Sequence, residues 1–299
     1  MINWLQSPQS SVAAQYIDCY WLIEKTPDAQ THQFPILNPD PSAHLILSPS
    51  DQPYHYTINQ QVQQGVGSHL LLPHHKAIEL DHSKPFIHLG IKFHVGALYS
   101  LTIPDYPHQS LDRANAIDLA VLLNNSDADV TSLIKLAQSD FEACCQQLDD
   151  LLLPWLSAAR TDRHSELTRK VLSVIGSTPI AELGDTLFCS QRTLERSFNK
   201  VTGLTLKQCQ SMNKLEAMLE YLYKKELNDI DWLDVAFQFG FSDQPHLIRY
   251  LKKTIGFTPN TYVKEGGLTI DVYGGVRSEY RAAHTLDLCL SCPIRSKFC

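Results

Sequence analysis

The sequence predicts an α+β protein of two domains, with a β-rich N-terminal half and an all-α C-terminal domain. Between residues 31 and 103, short apolar runs are broken by Pro, Asn, Asp and Gly, as in strands of a sandwich or barrel. Farther along, apolar residues recur at spacings of three and four, as in amphipathic helices. The charge also shifts, since residues 1–159 hold 6 basic and 16 acidic side chains, whereas residues 160–265 hold 15 and 13. We therefore expect domain boundaries at 159 and 265 and a C-terminal tail at 266–299.

The composition is that of a globular protein. Of 299 residues, 43% are hydrophobic and 19% charged, and the formal net charge of −7 gives no overall basic signature of nucleic-acid binding. No apolar run approaches the roughly 18 residues of a membrane span, and the start of the chain has no basic region followed by an apolar segment. We expect a cytoplasmic protein without a membrane partner, and eight cysteines that are mostly reduced thiols.

Short apolar runs in the first half predict strands, and a helical connector follows them. The predicted strands are His44–Leu47, Tyr54–Ile58, Ser68–Leu72, Ala77–Leu80 and Phe86–Phe93. The predicted connector helices are Ala116–Leu123, Val130–Leu136, Phe141–Leu148 and Leu151–Ala159.

Start and stop signals divide residues 164–265 into helices. Thr178 and Pro179 suit an N-cap and a first helical position. Ser190 is expected to cap a second helix, which Gly203 ends. A long helix is expected from about Thr205 to Lys225, with an apolar stripe of Leu206, Cys209, Met212, Leu215, Met218, Leu219 and Leu222. The pattern then recurs as a helix from Asp231 to Phe239, a turn at Gly240, a cap at Ser242 or Asp243, and a helix buried through Leu247, Tyr250 and Leu251.

Two segments of this region have the same layout, helix, tight turn and helix. They are Ile180–Thr202 and Trp232–Ile255, and each is followed by Gly-x-Thr. This is the helix-turn-helix arrangement, in which the second helix enters the major groove. One copy alone would be weak evidence, but two in tandem favour DNA binding.

The residues of both copies resemble a known family. Residues 232–259, with Val235-Ala236, Gly240-Phe241, Tyr250-Leu251 and Gly256-Phe257-Thr258-Pro259, resemble the second helix-turn-helix of AraC/XylS-type transcription regulators, and residues 190–198 resemble its first recognition helix. The resemblance spans residues 164–263. It implies a transcription regulator with RNA polymerase as a partner, and it favours activation slightly. Phe188, in a turn where Gly is usual, and Gly184, where Ala is common, depart from the pattern, as do Met218, where Ala is frequent, and Leu247, where Phe is frequent.

Physical reasoning gives the candidate DNA contacts. Two recognition helices on a rigid linker helix could enter successive major grooves about 34 Å apart. The faces opposite the buried residues present Gln191, Arg192, Glu195, Arg196 and Asn199 in the first helix, and Gln244, His246, Arg249 and Lys253 in the second. Arg suits guanine and Gln suits adenine, so these side chains are candidate base readers. Lys200, Lys207, Lys252 and Lys253 are predicted to contact phosphates.

The first half resembles the cupin-like regulatory domain found ahead of such DNA-binding modules. The similarity lies in residues 37–44 and 89–97 and covers about residues 10–110. It implies a small β-barrel that holds a small-molecule effector or a homodimer contact. Ten of the 13 histidines precede residue 110, among them His69, His74, His75, His82, His88 and His94. The His-x-His spacing of metal-binding cupins is absent, so exposed or hydrogen-bonded histidines are expected rather than a metal site.

The tail offers alternatives. Three cysteines lie close together in the tail, Cys289, Cys292 and Cys299. They could hold zinc or an iron–sulfur cluster or form a redox pair, and the protein would then be a redox or metal sensor. A tail with incidental thiols is the simpler interpretation. A cupin-type metalloenzyme or an alkyl-transferring protein is a third reading. No Pro-Cys-His-Arg, Gly-x4-Gly-Lys, His-Glu-x2-His or Gly-x-Ser-x-Gly motif is present, so we expect no enzyme and no cofactor.

Overall fold

In the computed structural model, most strands of the chain lie in its N-terminal half. The structure describes residues 2–29, 33–103, 110–223, 225, 230–256, 258, 261 and 269–270. The strands are β1 (Ile2–Gln6), β2 (Ile17–Lys25), β3 (Ile36–Leu37), β4 (His44–Leu47), β5 (Pro53–Ile58), β6 (Gln61–Val66), β7 (His69–Leu71), β8 (Ile78–Leu80), β9 (Phe86–Phe93), β10 (Ala114–Ala116) and β11 (Thr269–Ile270). The five predicted strands are all present, and β4 and β9 have the predicted bounds.

These strands form two sheets. The first has the order β1-β2-β9-β4-β7-β10 and the second β11-β3-β8-β5-β6. Neighbouring strands are antiparallel, except that β11, from the segment predicted as a tail, pairs parallel to β3. Both sheets end on edge strands among the described residues, so these strands do not form the closed barrel that we expected. They form a sandwich instead, because one face of the first sheet packs on the second sheet.

The first sheet is buried on both faces, which explains its continuous apolar strands. Along β2, Tyr20 and Leu22 face the connector helices, whereas Trp21 and Ile23 face the second sheet. Successive side chains of a strand point to opposite faces, so a strand covered on both sides carries apolar residues without alternation. The resulting order of layers is second sheet, first sheet and helices.

The helical layer consists of α1 (Leu119–Leu123), α2 (Val130–Ser139) and α3 (Phe141–Ser157). The prediction of two helices at 141–148 and 151–159 was wrong, because α3 is continuous and includes Pro154. The acidic pair between the predicted helices does not interrupt it. Asp149 is 2% exposed, and its Oδ1 accepts a 2.7 Å hydrogen bond from the Tyr20 hydroxyl. The carboxylate thereby ties α3 to the first sheet.

The C-terminal domain is helical. Its helices are α4 (Arg163–Leu172), α5 (Leu183–Thr186), α6 (Gln191–Thr202), α7 (Leu206–Tyr223), α8 (Trp232–Gln238) and α9 (Gln244–Ile255). The prediction of an N-cap at Thr178 was wrong. The chain enters α5 through a 3-10 turn at Ile180–Glu182, and Pro179, still extended with ψ 138°, precedes that turn. Over the described residues, no helix is both long enough and apolar enough to cross a bilayer.

Helix α7 belongs to two hydrophobic cores. Its N-terminal half packs into the first core through Leu206, Cys209 and Met212, together with Leu194 and Phe198 of α6. Its C-terminal half packs into the second core, which contains Leu215, Met218, Leu219, Leu222, Leu247 and Leu251. All seven predicted stripe residues are buried. The helix therefore joins two separately packed units.

Candidate nucleic-acid interface

The first unit consists of α4, the short helix α5 and α6. Ser190 caps α6, because its hydroxyl oxygen accepts a 3.2 Å hydrogen bond from the Thr193 backbone N–H. Leu194 and Phe198 are fully buried and hold α6 against α4 and α5. Gly203 ends the helix in the left-handed conformation at φ 74°. The opposite face of α6 is left to solvent.

The second unit repeats this construction with α8 and α9. Asp231 caps α8, and Asp243 caps α9 by accepting a 2.6 Å hydrogen bond from the His246 backbone N–H. Leu247 and Leu251 are buried at the positions that correspond to Leu194 and Phe198. Gly256, at φ 84°, ends α9 as Gly203 ends α6. Both second helices are 12 residues long.

The turns of the two units also correspond. The Cys189 N–H donates to the Gly184 carbonyl at 2.9 Å, and the Phe241 N–H donates to the Ala236 carbonyl at 2.7 Å. Each turn passes through a left-handed residue, Gly240 at φ 66° and Phe188 at φ 52°. Two of the departures from the family pattern, Gly184 in α5 and Phe188 in the turn that follows it, thus lie close together. A Cβ on Gly184 would come within 2.9 Å of the Cys189 carbonyl oxygen, which explains the glycine.

The structure places the predicted base readers of α6 on its outer face. Arg192, Glu195, Arg196, Asn199 and Lys200 are exposed, and Gln191 is partly exposed. The amide of Gln191 donates to Glu195 Oε1 at 3.0 Å, so these two side chains are engaged with each other. Lys200 lies at the C-terminal end of α6, where its Nζ is 5.8 Å from the ring centroid of Tyr99. Lys207, at the start of α7, is also exposed.

The predicted contacts of α9 lie on a corresponding face. His246, Arg249, Lys252 and Lys253 are exposed, and Gln244 is partly exposed. The His246 ring packs edge-on against Phe241, and its Nδ1 lies 3.2 Å from the Ser242 hydroxyl. Within the described part of the chain, no ion pair engages the cations of α6 or α9. These positive charges are therefore available to an anionic partner.

Segment 92–100 of the N-terminal half contacts the first unit. The Tyr99 hydroxyl donates to Asp162 Oδ2 at 2.8 Å, and Asp162 also caps α4. A Cβ on Gly96 would come within 2.8 Å of Val201 Cγ1 in α6, so the backbone approaches that helix closely. Lys92 Nζ lies 3.8 Å from Glu216 Oε1 on α7. This docking segment, residues 92–100, joins the β-sandwich to both α6 and α7.

Lys92 is the centre of a charge cluster that sequence reasoning missed. Its Nζ lies 3.4 Å from Asp40 Oδ2 and 3.9 Å from Asp18 Oδ2, and its side chain is 7% exposed. These carboxylates and Glu216 raise the pKa of Lys92 above its usual value, against the lowering effect of burial. Lys92 and His44 hold the pKa of Asp40 below its usual value although burial opposes this. The available signal was a lysine among the apolar residues Leu89, Ile91 and Phe93.

The histidines of the N-terminal half are mostly held by protein groups. His69 bonds through Nδ1 to the Gly67 carbonyl at 3.0 Å and through Nε2 to the Tyr56 hydroxyl at 2.6 Å. The further predicted histidines also have protein partners. His74 bonds to the Asn38 carbonyl, and His75 pairs with Asp112. His88 bonds to the Ser48 hydroxyl, and His94 bonds to the Ala14 carbonyl. His82 is buried against Phe86. Over the described residues, no three His, Cys, Asp or Glu side chains are grouped as metal ligands.

The described cysteines have structural positions. Cys19, Cys144, Cys145 and Cys209 are buried, and Cys189 is half-buried. Burial raises the pKa of Cys144, Cys145 and Cys209 to about 12. Thiols that resist ionisation are poor nucleophiles and poor metal ligands. Cys289, Cys292 and Cys299, the predicted metal or redox group, lie outside the described residues.

The two units define a tandem helix-turn-helix domain, a class of DNA-binding domain. Residues 183–265 match a family model described as a helix-turn-helix domain. Residues 183–265 are thus a helix-turn-helix domain of the AraC type. No curated protein matches the chain significantly.

Solved structures give weaker likenesses. The structure of ToxT from Vibrio cholerae O395 is 11% identical, with 82% of this chain and 96% of ToxT covered and a TM-score of 0.43. The C-terminal domain of AraT, a response regulator from Geobacillus stearothermophilus, is 19% identical, with 38% and 96% covered and a TM-score of 0.32. The AraC-like transcriptional activator CuxR is 9% identical, with 77% and 90% covered and a TM-score of 0.25.

Proposed function

We propose that the protein is a sequence-specific transcription regulator that acts as an activator. The observation that carries this proposal is the repeated construction of α6 and α9. Both are 12-residue helices with a side-chain N-cap, a left-handed glycine at the C-terminus and three exposed cations on the face away from the core. A pair of such helices suits two successive major-groove segments of one duplex.

The side chains divide into base readers and phosphate contacts. Arg192, Arg196 and Arg249 can each bond guanine through two N–H groups, and Gln191 and Gln244 match adenine. Glu195, Asn199 and His246 complete the two base-reading faces. Lys200, Lys207, Lys252 and Lys253 carry flexible ammonium groups and suit the phosphate backbone. In this assignment Gln191 exchanges its hydrogen bond with Glu195 for one with a base.

We assign a separate role to each of the two domains. Residues 1–159 form a cupin-like regulatory unit that senses a small-molecule effector and provides a homodimer contact, and residues 160–265 bind DNA. Residues 266–299 follow the DNA-binding domain, and Thr269–Ile270 of this segment pairs with β3 of the second sheet. The cytoplasmic location and the recruitment of RNA polymerase are part of this proposal.

The docking segment offers a route from the regulatory unit to DNA. Tyr99, Gly96 and Lys92 contact α4, α6 and α7 respectively. A shift of β9 or of the turn that follows it would therefore move the first recognition helix. Effector binding in the sandwich can change DNA affinity only if the effector binds the two arrangements of this contact differently.

Selection from a random double-stranded oligonucleotide pool tests the proposal. The full chain is expected to enrich one motif with two half-sites about one helical turn apart. A variant that carries Arg192→Ala and Arg249→Ala is the test of the two helices, and Arg113→Ala, outside the helical domain, is the matched control. Enrichment of no motif at low salt, or an unchanged motif with the double variant, would contradict the proposal.

A further inference from the structure

A cavity of about 110 Å³ lies between the two sheets of the N-terminal half. Trp21 of the first sheet and Tyr54 and Tyr56 of the second form part of its wall, and Phe86 and His82 lie on the same wall. The volume is of the order of the roughly 150 Å³ cavity that is known to hold benzene. The space thus suits a molecule built on one ring.

The charged side chains of the wall lie at its rim. Among the described residues that line the cavity, Asp81 and Lys84 are the permanently charged ones, and both are exposed. Their opposite charges offset each other. Neither supplies a buried countercharge for an ionised ligand.

The buried polar groups of the wall are neutral. Burial and, to a smaller extent, the nearby Lys25 lower the pKa of His82 to about 4. Burial also lowers the pKa of His88 well below its usual value. Tyr56 keeps its proton, because burial raises its pKa, and its hydroxyl lies 2.6 Å from His69 Nε2. A cavity with such a wall would have to desolvate an ionised ligand without compensation.

Aromatic rings surround the space. Phe86 packs on His82 at a centroid distance of 4.3 Å and on His88 at 5.0 Å, and Tyr54 stacks on Tyr56 at 5.5 Å. Planar rings gain additional energy from stacked or edge-on contacts with such walls.

We infer that this cavity binds a small uncharged aromatic compound, an assignment that rests on the effector-sensing role proposed above. The volume of the cavity limits the size of the ligand, and the aromatic rings of its wall favour a flat ligand. The neutral histidines supply no full countercharge to a carboxylate or an ammonium group in its interior.

Calorimetric titration of the full chain tests the inference with three molecules of similar size. Benzyl alcohol is the uncharged aromatic probe, benzoate is its ionised counterpart, and cyclohexylmethanol lacks the aromatic ring. We expect benzyl alcohol to bind at least about tenfold more tightly than benzoate, because benzoate must lose its hydration. We expect it to bind about two- to tenfold more tightly than cyclohexylmethanol.

A substitution in the cavity wall tests whether the probe binds inside the cavity. Leu80→Phe adds a ring to a lining residue that is 6% exposed, and should weaken the binding of benzyl alcohol at least about tenfold. Val62→Phe adds the same ring at a residue 63% exposed on β6 and should leave the affinity unchanged. Circular dichroism shows whether both variants are folded. The three-probe series on the unmodified chain decides the inference if Leu80→Phe does not fold.

Benzoate binding as tightly as benzyl alcohol, no saturable binding of benzyl alcohol, or a folded Leu80→Phe variant with unchanged affinity would each overturn the inference. The DNA selection experiment tests the proposed regulator independently of the ligand titration. An enriched DNA motif without benzyl alcohol binding removes the cavity assignment alone. Benzyl alcohol binding without an enriched motif removes the proposed regulator and leaves the chemical preference of the cavity standing.

Discussion

Lys92 Nζ on β9 lies 3.8 Å from Glu216 Oε1 on α7, so a charge of the β-sandwich meets the helix that joins the two helix-turn-helix units. The two partners differ in exposure, with 7% of the Lys92 side chain and 41% of the Glu216 side chain accessible to solvent. Burial raises the pKa of Glu216 although Lys92 acts to lower it. The contact therefore combines a buried cation with a carboxylate at the edge of the interface.

Replacing Lys92 by Met should strongly destabilise the protein. The substitution leaves Asp40, 15% exposed, as a carboxylate without its main countercharge. Removing one partner of a buried pair costs about 3–5 kcal/mol, and we expect a loss of that order in the free energy of unfolding, measured in urea at pH 7. Glu216→Gln removes a half-exposed partner and should cost less than about 1 kcal/mol. A Lys92→Met protein as stable as the parent would show that the cluster contributes no net stability.

Phe188→Gly should stabilise the first unit. Phe188 is 98% exposed and is held at φ 52°, where a side chain costs about 1–2 kcal/mol and glycine does not. Little packing is lost, but glycine has a larger entropy cost of folding. We therefore expect the free energy of unfolding, measured by thermal unfolding, to rise by about 0.5–1 kcal/mol. Gly240→Ala, at the corresponding turn, should lower the free energy of unfolding by about 1 kcal/mol, because alanine is strained at the positive φ of this position. A less stable Phe188→Gly protein would mean that the exposed ring makes a stabilising contact.

Arg249→Ala and Lys253→Ala should weaken DNA binding in different ways. Loss of the Arg249 base contact should cost about 1–3 kcal/mol and relax the preference at one base pair of the selected motif. Loss of the Lys253 phosphate contact should weaken binding equally on all sequences and reduce the slope of log affinity against log salt by about 1. Electrophoretic shift titrations on the motif and its single-base variants measure both effects. Equal loss for Arg249→Ala on every sequence would reassign that side chain to a phosphate.

Acid should destabilise the β-sandwich between about pH 6.5 and 4. Burial lowers the pKa of His69 and of His82 from 6.5 to about 4. Within this window the unfolded chain binds more protons than the folded chain, so the free energy of unfolding falls as the pH falls. Each histidine contributes about 1.4 kcal/mol per pH unit.

Urea unfolding at a series of pH values measures this slope. His82→Gln removes one of the histidines whose pKa is lowered by burial, and its slope should be smaller by about 1.4 kcal/mol per pH unit. Val62→Ala, at an exposed residue of β6, removes no ionisable group and is the control that should keep the parent slope. An identical slope for the parent and His82→Gln would show that His82 does not titrate as a buried neutral group.

The helical domain was predictable because its signals are local. Ser190, Gly203 and Gly240 each act within one turn of the chain, and the apolar stripe of α7 needs only a helical period. Strand β2 was missed, although its apolar run from Cys19 to Ile23 is as continuous as those of β4 and β9, which were predicted. The predicted break in α3 failed because Asp149 is a buried tertiary partner rather than a surface residue.

The contact between Lys92 and Glu216 was beyond sequence reasoning for another reason. It joins residues 124 positions apart, and no local pattern specifies such a pairing. The faces of α6 and α9 were predictable from periodicity, whereas the base that each side chain meets remains a prediction.

Because one unbroken helix carries residues of both helical cores, α7 sets the rotational phase between the outer faces of α6 and α9. One residue inserted between Met212 and Leu215 would turn the second surface by about 100° around the α7 axis and advance it by about 1.5 Å. Each unit would keep its own fold, yet the two could no longer face the same side of a duplex. In the proposed function, the length of α7 therefore determines which half-site spacing the protein can accept.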